Sequence, residues 1–143
     1  MSNQYAQFTY EEISVGQKAS FVVLITEELI ASFAQLSGDK SPLHVDPEYA
    51  ATTGFGRPVA HGMIAGALFS RLVGMELPGK YCVYLSQQLT FHRPMFAGDE
   101  VVVSGEITNK SDAVHTVMIA TAVHKEGSGE LLVDGRALVR VTE

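Results

Sequence analysis

The sequence predicts an α+β domain in which one antiparallel sheet curls around one long, buried helix. Three observations predict it. Apolar residues keep helical spacing in the first half of the chain and period two in the second. One segment, residues 61–74, is apolar on nearly every side. The strand-like runs that follow are divided by short turn clusters, and short turns join antiparallel neighbours.

Each element has a local cause. Residues 19–25 are β-branched and aromatic and read as a strand. Thr26 suits an N-cap, with Glu27 and Glu28 in the first turn, where the helix dipole favours acids. Leu29, Ile30, Phe33 and Leu36 keep helical spacing, and Gly38 suits the left-handed position that stops a helix. "DPEYAATTG" reads as a short helix with Asp46 as N-cap, Pro47 first inside and Gly54 at the end. Residues 61–74 form the greasy helix (Met63, Ile64, Ala65, Ala67, Leu68, Phe69, Leu72, Val73), and "LPGK" closes it. Residues 81–91, 99–108, 113–125 and 130–142 are strands, separated by "RPMFAGD", "NKSD" and "EGSG". Such a sheet needs its edge or outer face covered, which predicts a homodimer that continues the sheet.

The chain has 143 residues, 46% of them apolar, which fits one domain over 1–143 with a real core. A net charge of −6 argues against a nucleic-acid binder and does not favour an anionic membrane surface. Cys82 is the only cysteine, so no intrachain disulfide forms, which fits a reducing compartment. "MSNQYAQFTYEEISVGQ" has neither a basic nor an apolar leader region, and the greasy segment is short and broken by His61, Ser70 and Arg71. No signal peptide or membrane span is expected, and the predicted location is cytoplasmic.

The chemistry concentrates in "GDKSPLH". Asp39 and His44 are five positions apart, about 140° apart on a helix and on opposite faces of a flat strand. Only a bent segment lets them converge, and Pro42 supplies the bend by fixing its own φ and pushing Ser41 out of the helical region. Together they are an acid–base pair workable near neutral pH; singly, they are a turn aspartate and a structural histidine. "RPVAHGM" leads into the buried helix. The amides near Gly62 and Met63 have no intrahelical acceptor and carry the positive end of the helix dipole. Gly62 leaves them uncovered for a developing oxyanion, or is small because something packs against it.

"SGDKSPLHVDPEYA…GFGRPVAHGM" resembles the hydratase-2 motif of the MaoC-like (R)-specific enoyl-CoA hydratases, which have the hot dog fold, and "LPGKYCVYLSQQLTFHRPMFAGDEV" is similar to the corresponding part of that family. The resemblance implies one hot dog per chain and hence a homodimer. It implies an acyl-CoA thioester as substrate, with water added reversibly and syn across a trans-2-enoyl thioester, and neither cofactor nor metal. It makes Asp39 and His44 the catalytic pair and Gly62 the backbone donor to the thioester oxygen. It places Ser70 near the site, with Ser70 and Val73 as candidates for contacts with the acyl chain. Where family members often have Asn before the motif's proline, this chain has Ser41; both suit a turn.

Three rivals compete with this reading: two enzymes of the same fold and one protein of a different class. A dehydratase of acyl-carrier-protein substrates would favour a basic docking patch, and none is clear in this acidic chain. A thioesterase normally aims a carboxylate from the central helix, and 61–74 contains no Asp or Glu. A non-catalytic acyl-thioester binding module predicts binding without turnover. The remaining histidines show no metal-ligand spacing. His92 falls in a turn-like stretch, His115 and His124 fall on strands, and His61 is placed to orient the helix entry. Arg57 reads as structural, or as a partner for a carboxylate or a cofactor phosphate, and Cys82 as packing.

Overall fold

The computed structural model describes residues 4–143, so the first three positions of the expected 1–143 domain lie outside it. Strand β1 (Lys18–Leu24) leads to α1 (Glu27–Ser37), then to two short helices, α2 (Pro42–Val45) and α3 (Pro47–Ala51). The central helix α4 (Ile64–Arg71) follows. Then come β2 (Cys82–Phe91), β3 (Glu100–Ser111), β4 (Thr116–Lys125) and β5 (Leu131–Val141). All pairing is antiparallel, in the order β1-β3-β4-β5-β2.

The caps act as their residue types dictate. Thr26 accepts from the Leu29 amide, and Asp46 accepts from the Glu48 and Tyr49 amides. Gly38 ends α1 at φ 76°, and its amide donates to the Ala34 carbonyl. Leu36 keeps the helical spacing but lies on the outer side of α1, 86% exposed.

Four expectations are corrected. The greasy helix is not one α-helix over 61–74: α4 begins at Ile64, and Leu72–Glu76 widens into a π turn before Pro78. The segment between Asp39 and Asp46 is not wholly irregular. Pro42 sits at the first position of a helical turn, where its missing amide does no harm, so His44 lies on a turn of helix while Asp39 lies in the loop before it. The run at 81–91 does not pair with its successor; β2 crosses to the far edge and pairs with β5. His115 is not on a strand. It sits in the β3–β4 turn at φ 51°, its ring stacked on Tyr10 at 4.4 Å.

The sheet's inner face closes on α4. Ile64, Ala65, Phe69 and Leu72 are buried to 1% exposure or less, among Val101, Val103, Val123 and Val133. A second cluster joins Val73 and Leu77 to Tyr10, Ile13, Ile107, Ile119 and Val139. Register slips at Tyr84/Ser86, Ile107/Asn109 and Val123/His124 mark irregularities of the bulge kind, which bend strands and raise their twist. The enclosure is incomplete. Met63, Ala67 and Ser70 form an exposed stripe along α4, where the sequence suggested burial on most sides.

Gly105 of β3 is tightly covered: a Cβ there would meet Leu72 Cδ2 at 2.8 Å and Ile119 Cγ2 at 3.0 Å. Both neighbours are fully buried and have little room to withdraw. Gly105→Ala is therefore expected to lower stability by about 1–3 kcal/mol through overpacking, measured as a drop in the urea midpoint with an unchanged m-value.

Candidate active site

Asp39 is fixed by its neighbours on three sides. Its amide donates to Ser37 Oγ at 3.0 Å, and its Oδ1 accepts from the Ser41 amide at 3.1 Å. Its carbonyl accepts from His61 Nε2 at 2.9 Å. Oδ2 remains open, and the side chain is half exposed. This is an Asx turn, the local hydrogen bonding that makes aspartate frequent after a helix stop.

His44 is held from the other side. Its Nδ1–H donates to the Val59 carbonyl at 2.6 Å, and the Val59 amide returns a bond to the Leu43 carbonyl. A carbonyl only accepts, so the proton is on Nδ1 and Nε2 carries a free lone pair in the neutral ring. That Nε2 lies 3.9 Å from Asp39 Oδ2. The gap is too long for a direct hydrogen bond and spans the two contacts of one water, each about 2.8 Å.

His61 completes the cluster. It is 2% exposed, and its ring stacks on His44 at 4.0 Å and tilts against Phe33 at 4.8 Å. Ligand atoms of Asp39, His44 and His61 lie within 4.8 Å of one another. His61 Nε2 and His44 Nδ1 are engaged by carbonyls, which leaves His44 Nε2 facing Asp39 Oδ2 for proton handling.

Gly62 follows His61 directly. Among the described residues, the Gly62 and Met63 amides donate to no protein acceptor, whereas the next amide, Ile64, already donates to the His61 carbonyl. The Phe91 ring lies against Gly62, with two ring carbons 2.9 Å from where a Cβ would stand. Gly62 is thus closely packed on one side, and its amide has no acceptor among the described residues.

The structure thus gathers Asp39 and His44 around His61, and Gly62 follows His61 in the chain. Ser70 and Val73 are not part of that cluster. Ser70 is exposed on α4, roughly 12 Å along the axis from Gly62. Val73 is fully buried in the second core cluster. His44 also borders a cleft of about 460 Å³, shared with Ile30, Ala31, Val45 and Arg57. The Arg57 guanidinium lies over the Phe96 ring at 4.2 Å. A larger groove of about 700 Å³ on the sheet contains neither Asp39 nor His44. His92 pairs with Asp134 at 2.8 Å on the surface. Cys82 is half-buried, and burial pushes its thiol above the usual range, which favours packing over nucleophilic chemistry.

A sheet curled around one helix, with an aspartate and a histidine poised at that helix's entry, defines a hot dog protein equipped for acid–base chemistry. The chain belongs to the MaoC-like family: the MaoC like domain matches residues 11–128. It is 43% identical over 131 residues to an (R)-specific enoyl-CoA hydratase of Aeromonas caviae, covering 92% of this chain and 97% of that protein. It is 36% identical to an (R)-specific enoyl-CoA hydratase of Rhodospirillum rubrum, covering 92% of this chain and 90% of that one. Its fold matches R-hydratase PhaJ1 from Pseudomonas aeruginosa, in the unliganded form, with a TM-score of 0.93 and 40% identity over 99% of this chain and 90% of the other.

The turn and the carboxylate charge are separable at Asp39. Asp39→Ala removes the acceptor for Ser41 and is expected to lose about 0.5–1.5 kcal/mol, whereas Asp39→Asn keeps a side-chain oxygen there and should stay near wild type. Urea unfolding of the two variants side by side checks this.

Proposed function

We propose that this protein is an (R)-specific enoyl-CoA hydratase, adding water reversibly and syn to trans-2-enoyl-CoA to give (R)-3-hydroxyacyl-CoA. One observation carries the reading: Asp39 Oδ2 and His44 Nε2 face each other across the width of one water, in a chain 43% identical to a hydratase. The difficulty of the reaction is charge. Attack at C3 drives electrons onto the thioester oxygen, and the open Gly62 amide at the start of α4 stabilises that enolate. One such donor is typically worth about 3–4 kcal/mol of barrier. His44 Nε2, left bare by the bond from Nδ1 to Val59, and Asp39 Oδ2 hold the water. One takes its proton as the oxygen bonds to C3, and a proton from the pair is delivered to C2. Both groups lie on one side of the substrate, so addition is syn and no atom is left unaccounted for. Ser70, on the exposed stripe of α4, and Val73, deeper in the fold, are candidate contacts for the acyl chain.

The working protein is read as a cytoplasmic homodimer with one hot dog domain per chain. Strand β2 is an edge of the sheet and exposes Val83, Leu85 and Phe91. The uncovered stripe of α4 includes Met63. A second copy paired along β2 would cover strand and stripe together. Among the described residues, no helix is long and apolar enough to cross a membrane.

With crotonyl-CoA, loss of the conjugated enoyl-thioester absorbance should be rapid for the wild type. It should fall by at least about 10²-fold in both Asp39→Asn and His44→Ala. An (S)-specific 3-hydroxyacyl-CoA dehydrogenase should refuse the product. Failure of a folded dimer to hydrate crotonyl-CoA or a longer enoyl-CoA overturns the reading. The assembly has its own check: sedimentation equilibrium should give twice the chain mass, and Leu85→Glu should shift it toward the monomer.

A further inference from the structure

We propose that His61 is a positioning residue for the hydration, holding Asp39, His44 and the Gly62 amide in one geometry as a neutral imidazole protonated on Nε2. The tautomer follows from its surroundings. Nε2 lies 2.9 Å from the Asp39 carbonyl, which has no proton to give, so the hydrogen is on Nε2. Nδ1 is buried with no hydrogen-bond partner. A proton there would be a buried donor without an acceptor, so the uncharged ring with a bare Nδ1 is the form this site holds.

The positioning follows from what the ring touches. By hydrogen bond it holds the backbone of Asp39, in the loop after α1. By stacking it backs the His44 ring on α2 at 4.0 Å, with Phe33 of α1 against it at 4.8 Å. By the chain itself it is joined to Gly62, whose amide has no acceptor among the described residues. These three parts of the reaction centre come from separate segments of the chain. His61, 2% exposed, is the side chain that meets all of them. Its Nε2–H is spent on the Asp39 carbonyl and its Nδ1 is buried, so neither ring nitrogen is offered to a bound water. Its loss should therefore act on the precision of the pair and leave substrate affinity largely alone.

The kinetic part of the proposal rests on the hydratase reading; the tautomer does not. Steady-state hydration of crotonyl-CoA is compared for wild type, His61→Leu and His61→Gln. Leu fills much of the volume without a donor, whereas Gln carries an amide N–H at a reach comparable to Nε2. His61→Leu should lower kcat by about 10²-fold, the scale of a misplaced catalytic group, with KM near the wild-type value, and His61→Gln should recover most of the loss. If His61→Leu does not fold, Gln is compared with His61→Asn, whose shorter amide falls short of the Asp39 carbonyl. In parallel, ¹⁵N-imidazole spectra of the wild type should show His61 protonated at Nε2 and bare at Nδ1 at neutral pH. Gln no better than Leu or Asn, a loss carried by KM, or a His61 protonated at Nδ1 would each overturn the proposal. A folded wild type with no hydration defeats the hydratase reading instead, and the imidazole spectra then decide the tautomer on their own.

Discussion

Helix α4 has to be enclosed. Ile64, Ala65 and Phe69, with Leu72 just past its end, are all buried to 1% exposure or less, and fully burying a large apolar side chain is typically worth about 1.5–3 kcal/mol. A flat sheet would cover one side of such a helix, whereas a curled one covers more. Strands with register slips supply the bend, and Gly105 leaves the room that Leu72 fills, its Cδ2 2.8 Å from where a Cβ would stand. Enclosing α4 also decides where the chain must enter it. The segment that leads into it is tied to α2 through Val59, and this brings the His61 ring against His44 immediately before Gly62.

The chemistry is thus placed by packing but tuned by the main chain. Asp39 and His44 sit on short segments with little core of their own. What holds them is a set of bonds to backbone groups: Ser41 N–H to Asp39, His44 to the Val59 carbonyl, His61 to the Asp39 carbonyl. Pairs held this way lose less freedom when substrate arrives, because orientation has already been imposed on folding.

Much of the fold was legible in the sequence because its signals are local. Thr26, Gly38 and Asp46 act through neighbours two to four residues away, and period-two alternation reports burial strand by strand. The place of β2 was not legible. Its pairing with β5 joins residues some fifty positions apart, such as Leu89 and Gly135, and no local pattern encodes it. The helical turn at Pro42 was missed because the same proline that bends a chain also starts a helix well. Leu36 fitted the helical period yet faces outward, since periodicity names a face without saying what covers it. At the site, the convergence of Asp39 and His44 could be argued from five residues. The contact of His61 with Asp39 spans 22 positions and left no trace but the adjacency to Gly62.

Both imidazoles are oriented by carbonyl oxygens, of Val59 and of Asp39. A carbonyl is present whatever side chain is attached to it. Position 59 can drift among residues that fit its buried niche without erasing the instruction that places the proton on His44 Nδ1. The carboxylate of Asp39 can likewise change without removing the acceptor that orients His61. The proton inventory of the site is therefore inherited through the path of the backbone, and a lineage can rewrite many of the surrounding letters before it loses the tautomers.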